Sequence, residues 1–383
     1  MAFHMDSEHW FNGSSTIAVD LSHLRSNFHF FKNQLSDRTR IMAMVKADAY
    51  GCGAVEVSRV LQKEGVDYLG VAYTEEGKKL REKDVEVAIM VMNPLPREFP
   101  ELVRYRLEPE LSGLHMLYQW LDFVRDTKLE GYPVHLEVDT GMKRLGFGST
   151  ENDQVAEILR SNSGIQVSSV FSHLASSSRP DHDSFTRAQF HRFETWCDSI
   201  WTYDKPSPLR HILNSAGICR FPEYQYDMVR LGIGLYGVGL ESLPAQQFLR
   251  PVQSIYAAIS QVREVIEDET VGYDKMGKLE KSGRIAVLNL GYADGFPRLA
   301  GHGRSSVLIE NVLCPTVGTV CMDMVMVDIS NCPDARTGSI AEIYGPENPA
   351  VRMAEAARTI PYEIITANHN RLHRYIKNPC LKT

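Results

Sequence analysis

The chain has no apolar run of 18 residues, so no bilayer-spanning helix is expected. It has no excess of positive charge: 41 Lys and Arg stand against 48 Asp and Glu, a net charge of −7, and the pI is near 6.0. That balance argues against a nucleic-acid surface and against docking on an anionic membrane. The seven cysteines show neither CxxC nor CxxH spacing. A disulfide frame and a zinc site are therefore not expected, no metal is assigned, and the thiols read as reduced and cytoplasmic. Low-complexity tracts, internal repeats and heptads are missing. Met1–Gly13 carries His4, Asp6, Glu8 and His9 without an apolar core, which does not read as a signal peptide. No GxGxxG follows an early strand, which disfavours a doubly wound dinucleotide fold.

What is there is a globular composition, 43% hydrophobic and 23% charged over 383 residues, long enough for two domains. From Thr16 to Tyr236 short apolar runs alternate with amphipathic stretches. Thr16–Val19 reads as a strand, and Leu21, Leu24, Phe28 and Phe31 then recur at helical spacing. Further strands are expected at Ile41–Val45, Tyr68–Ala72, Val87–Met92, Val134–Val138, Val167–Phe171, His211–Leu213 and Met228–Leu235, with helices between them. About eight such units in this span suit an α/β fold of the (β/α)8 TIM-barrel type, assigned to residues 14–240. Beyond Gly239 the pattern turns β-rich: Val252–Ser260, Arg284–Leu288, Ser306–Ile309, Val317–Val327 and Ile340–Tyr344. Residues 241–383 are read as a mostly-β second domain.

In a barrel, polar residues at the C-terminal strand ends form the active site. The run Ile41–Val45 ends on Lys46, and Tyr50 follows within a glycine-rich turn. A lysine among apolar neighbours is either a cation reaching for water or an amine made nucleophilic by desolvation and able to form a Schiff base. Asp139–Arg144, Ser172-His173, Asn214-Ser215 and Arg230 stand at other strand ends. Gly232-Ile233-Gly234 offers unobstructed backbone N–H groups of the kind that suit a phosphate.

Several motifs occur together: Val45–Gly51, Val138–Gly146, Asn214–Gly217, Asp227–Ile233, Val271–Tyr273, Gly291–Gly295, Val320–Asp323 and Pro361–Glu363. On these, from about Thr16 to Tyr375, the chain resembles the alanine racemases, a barrel-type family dependent on pyridoxal 5′-phosphate. The resemblance implies a racemase that interconverts L- and D-alanine, supplying D-alanine for peptidoglycan, and a cytoplasmic homodimer with shared active sites. Lys46 would carry the cofactor and act as base on one face of Cα. Tyr273 of the partner subunit would act on the other. His173 would hydrogen-bond that tyrosine, and Arg230 would face the pyridine nitrogen. Arg144 would serve the cofactor's phenolic oxygen and the substrate carboxylate. Tyr50, Ser215, Gly232, Ile233 and Tyr362 would hold the phosphate, with Asn214 beside them. Met322 would contact the substrate carboxylate from the partner chain, Tyr292 would line the entrance, and Asp323 would support it.

The chain departs from the family pattern at Asp48, Cys52 and Gly277, and at Glu137, where many relatives carry a carbamylated lysine. Glu137 is expected to supply that anion permanently and to fix Arg144 through a bidentate pair. The alternatives are a racemase of another amino acid such as serine, a barrel-type decarboxylase, which Arg230 disfavours, and a non-catalytic pyridoxal-phosphate-binding protein.

Overall fold

A computed structural model describes Phe11 and residues 15–162, 165–201, 207–367 and 371–377. Met1–Gly13 apart from Phe11, Ser14 and Cys380 lie outside these residues. The strands are β1 (Ser15–Asp20), β2 (Arg40–Met44), β3 (Tyr68–Val71), β4 (Ala88–Val91), β5 (Glu108–Leu111), β6 (Tyr132–Glu137), β7 (Ile165–Phe171), β8 (Leu209–His211) and β9 (Met228–Leu231) in the first part of the chain. In the second part they are β10 (Gln253–Val265), β11 (Gly283–Leu288), β12 (Ser306–Ile309), β13 (Val312–Pro315), β14 (Val325–Asp328), β15 (Ile340–Tyr344) and β16 (His373–Lys377).

Strands β2 to β9 form one parallel sheet in sequential order, with β9 returning to pair with β2. Two backbone hydrogen bonds bridge the seam between β8 and β9, from Asp227 N–H to the Arg210 carbonyl and from Arg230 N–H to that of Leu213. This is the expected barrel, but one member of the series is different. β1, read as its first strand, lies antiparallel to β10 and parallel to β16 in the other sheet. All six of its residues are buried, so its apolar run fits either sheet. The strand that takes its place in the barrel is β5, Glu-Pro-Glu-Leu. Proline and two charges mask it as a strand, yet the carboxyl groups turn inward, where Glu108 meets His135 and Glu110 approaches Glu137.

The second sheet runs β13-β12-β15-β10-β1-β16, and the far half of β10 pairs with β11, which pairs with β14. A register shift between Ile259 and Gln261 marks where β10 changes partners. The expected strand Val317–Val327 is realised only as β14. The segment before it turns through Gly318 at φ 65° and carries Met322 out on a loop.

The helix Leu21–Lys32 begins where Asp20 accepts hydrogen bonds from the Ser22 and His23 N–H groups. Its apolar face, Leu21, Leu24, Phe28 and Phe31, is fully buried, and each such side chain contributes about 1.5–3 kcal/mol. Phe31 reaches Gly234, where an added Cβ would stand 2.6 Å from the ring. The helix is thereby packed directly behind the glycine turn that forms one wall of the site.

Candidate active site

Lys46 closes β2, and the chain then does something rare. Ala47, Asp48, Ala49 and Tyr50 all have φ between 52° and 54°, a left-handed turn that costs roughly 1–2 kcal/mol per non-glycine residue. It is held from several sides. Glu76 accepts from Ala47 N–H at 2.6 Å, and Asp48 accepts from Ala54 N–H at 2.9 Å. Asp48 also pairs with Arg374 of β16 at 2.8 Å, so the second sheet braces the turn. The effect is to place Tyr50 beside Lys46, stacked on buried Tyr236 with ring centroids 4.5 Å apart.

A cavity of about 220 Å³ opens at this end of the barrel, lined by Lys46, Tyr50, Arg144, His173, Asn214, Ser215, Arg230, Gly232, Ile233 and Tyr362, together with Met44 and Met92. Ser215 Oγ accepts from the N–H groups of Gly232 at 3.0 Å and Gly234 at 3.2 Å. A Cβ on Gly232 would stand 3.2 Å from the Tyr50 hydroxyl, so glycine keeps this corner open. Asn214 uses its side-chain oxygen to cap the helix Ser215–Arg220, accepting from Gly217 N–H at 2.9 Å and from the Ser177 hydroxyl at 2.7 Å.

Arg230 is 2% exposed and lies over the Phe171 ring, 5.0 Å from its centroid. It begins a chain of hydrogen bonds through the barrel interior. Its Nη1 lies 2.8 Å from His211 Nδ1. His211 Nε2 lies 2.8 Å from Ser169 Oγ, that hydroxyl 2.6 Å from His135 Nδ1, and His135 Nε2 2.8 Å from Glu108 Oε2. The two ends determine the proton order. A guanidinium only donates and a carboxylate only accepts. So His211 Nδ1 accepts, its Nε2–H donates to Ser169, Ser169 donates to His135, and His135 donates to Glu108. The reverse order would set a ring N–H against the guanidinium.

The electrostatics favour an uncharged Lys46 amine. Burial first, and then the charge of Arg144, lower its pKa. Burial lowers the Arg230 guanidinium only to about 10, which leaves it charged at neutral pH. His173 is pushed down to about 3 by burial and then by Arg230 and Arg144. Its Nδ1 faces Arg230 Nη2 at 3.3 Å and accepts, so its Nε2–H remains a donor. His211 is shifted down as well, by burial and by Arg230.

These two neutral histidines make the fold acid-sensitive. In the unfolded chain they take up protons near 6.5, whereas folded His173 does so only near 3. Stability is therefore lost as pH falls below about 6.5, at roughly 1 kcal/mol per pH unit for each histidine. A His173→Gln variant should show a shallower fall in urea midpoint between neutral pH and pH 5, by about one proton's worth. An unchanged slope would mean that His173 is not a source of it.

The β-rich part carries the remaining residues. Tyr273 is 67% exposed and Met322 54%. Both line a separate groove of about 770 Å³ together with Asp323, so this chain does not bring them to its own Lys46 cavity. The loops that hold Met322 and Tyr292 are joined by Tyr292 N–H to the Cys321 carbonyl and Ala293 N–H to that of Met322, both 3.0 Å. Arg371 clamps the same pair, reaching Asp294 at 2.5 Å and Asp323 at 2.8 Å. Gly291 permits this contact, since a Cβ there would lie 2.3 Å from the Met322 carbonyl oxygen.

The expected bidentate pair of Glu137 with Arg144 does not form. Arg144 stands exposed at the cavity rim, and among the described residues it forms no direct ion pair with Glu137, which is 4% exposed. The intervening loop lifts it: Asp139 accepts from Gly141 and Lys143 N–H, at 2.9 and 3.0 Å. Glu137 instead meets Glu110 of β5, a residue with no signal in the sequence beyond the alternation of Glu108 and Glu110. Met44, Met92, His135, Ser169 and His211 were equally silent.

The alanine racemase N-terminal domain model matches residues 19–239 and the C-terminal domain model residues 252–376. The chain belongs to the alanine racemase family. The alanine racemase of Nostoc sp. is 32% identical over 384 residues, covering 98% of this chain and 99% of the relative. Among solved structures, the alanine racemase of Streptomyces lavendulae superposes with a TM-score of 0.89 at 29% identity, covering 96% of this chain and 98% of that one. The alanine racemase of Bartonella henselae, solved with covalently bound pyridoxal phosphate, gives a TM-score of 0.87 at 26% identity and covers 96% of this chain and 100% of that one. The activity of an alanine racemase is an isomerase reaction, and the family's cofactor is pyridoxal 5′-phosphate.

Proposed function

We propose that this chain racemises alanine with pyridoxal 5′-phosphate held in the Lys46 cavity, using Lys46 and Tyr273 of the partner subunit as its two bases. The observation that carries the reading is the composition of that cavity: an amine of lowered pKa, the buried donor-only guanidinium of Arg230 and a glycine corner in a single space. These residues fit the cofactor. Lys46 would link it; Ser215, Tyr50, Tyr362 and the backbone of Gly232 and Ile233 would hold its phosphate; Arg230 would hold its ring nitrogen without giving up a proton. Asn214 shapes the same corner by capping the helix behind Ser215. The bound cofactor withdraws electrons from the substrate and so acidifies the Cα–H bond.

The protein moves the proton. Lys46 removes it from, or returns it to, one face of Cα. On the other face Tyr273 does the same, removing the proton as the phenolate and returning it as the phenol, and the Nε2–H of neutral His173 is a donor available to steady the phenolate. Inversion requires that the two bases alternate. Arg144 and the Met322 backbone bind the substrate carboxylate, Tyr292 narrows the entrance, and Asp323 anchors the Met322 loop through Arg371. Glu137 supports Arg144 through its charge, at longer range than a direct pair.

Tyr273, Met322 and Tyr292 are exposed on the β-rich part, while the cavity is lined, apart from Tyr362, by residues of the barrel part. That separation favours a homodimer in which each β-rich part completes the other chain's cavity. A cytoplasmic location and supply of D-alanine to peptidoglycan belong to the same reading; no helix among the described residues is long and apolar enough to cross a membrane. The purified, cofactor-loaded protein should convert L-alanine and D-alanine to the same equal mixture, and serine or lysine far more slowly. Faster turnover of serine than of alanine would reassign the substrate.

A further inference from the structure

Glu110 and Glu137 lie on neighbouring barrel strands. The β5–β6 register sets Glu110 against His135, and Glu137 follows two residues later on the same face. Glu110 is 1% exposed and Glu137 4%, and their carboxyl groups come close enough for one to donate to the other. A carboxylate has no proton to donate, so one of the two must be the acid. Glu110 Oε1 is buried with no hydrogen-bond partner among the described residues, and Glu137 has no such atom. A dry oxygen is far more costly on an anion than on a neutral acid. The titratable groups facing the pair are the charged Arg144 from the loop after β6 and Arg230 from β9, and the Lys46 amine just after β2.

We propose that Glu110 and Glu137 share one proton, carried by Glu110, and act as a single fixed negative charge that positions Arg144 and Arg230. Glu110 is then a positioning residue, and its consequences for turnover rest on the racemase reading above. Burial, followed by the charge of Glu137, raises the Glu110 carboxyl well above its ordinary range and keeps its proton in place at neutral pH. The pair supplies one charge, where two adjacent carboxylates would repel and none would leave the cations uncompensated.

The test joins infrared spectroscopy to kinetics. At neutral pH the native protein should show the carbonyl stretch of a buried protonated carboxylic acid, shifted in D₂O and absent from Glu110→Gln. That conservative variant keeps both the donor and the neutrality, so its KM for alanine should rise at most about threefold, whereas Glu110→Ala leaves Glu137 without its donor and should raise KM about tenfold with a smaller change in kcat. Glu137→Gln should raise KM as well, at a thermal midpoint comparable to that of Glu110→Gln. A native protein without the acid band, or a Glu110→Gln variant as impaired as Glu110→Ala, would overturn the shared proton. The band is read without substrate, so it persists even in a protein that failed to racemise alanine; the two readings fail separately.

Discussion

A Tyr273→Phe enzyme is expected to lose racemisation by about 10²–10⁴-fold, the usual contribution of one positioned acid–base group. The loss should be lopsided. With Lys46 intact, one face of Cα keeps its base, so exchange of the Cα proton with solvent should survive for one enantiomer and fall for the other. Removing one hydroxyl from a side chain that is 67% exposed in the single chain leaves the barrel cavity and its cofactor contacts untouched, so the absorbance of the bound cofactor should persist. Wild-type turnover in both directions would remove Tyr273 from the mechanism.

The second large effect concerns Lys46 and assembly. Lys46→Ala should abolish activity, and borohydride treatment of the native holoenzyme should fix the cofactor to Lys46; a label on another lysine would displace it. Mixing Lys46→Ala chains with Tyr273→Phe chains should then restore part of the activity. In a mixed dimer with shared sites, one site carries both defects and the other carries neither. Random exchange makes about half the dimers mixed, so about a quarter of all sites are intact. No recovery after verified subunit exchange would mean that each chain completes its own site.

The local parts of this site were open to reading from the sequence because they depend on short stretches of chain. Lys46 and Tyr50 are joined by one turn, Ser215 follows its own cap at Asn214, and Gly232 follows Arg230 by two residues. Strand alternation and helical spacing located the barrel elements for the same reason: burial of one face leaves a period that neighbours along the chain reveal. The Lys46 motif, the glycine corner and the β-rich change after Gly239 were therefore determined by the sequence itself. Which strands share a sheet was not. β1 and β5 exchanged places against expectation, because a fully buried run carries no record of its partner and because inward carboxyl groups look like surface charge until the barrel closes around them. The chain from Arg230 to Glu108, the Glu110–Glu137 contact and the lifting of Arg144 away from Glu137 each join residues on different strands or loops. So does the clamp of Arg371 on the two loops beside Tyr273. Only the tertiary structure decided these, because hydrogen bonds and proton positions in a dry interior depend on distances across the fold that spacing along the chain does not encode.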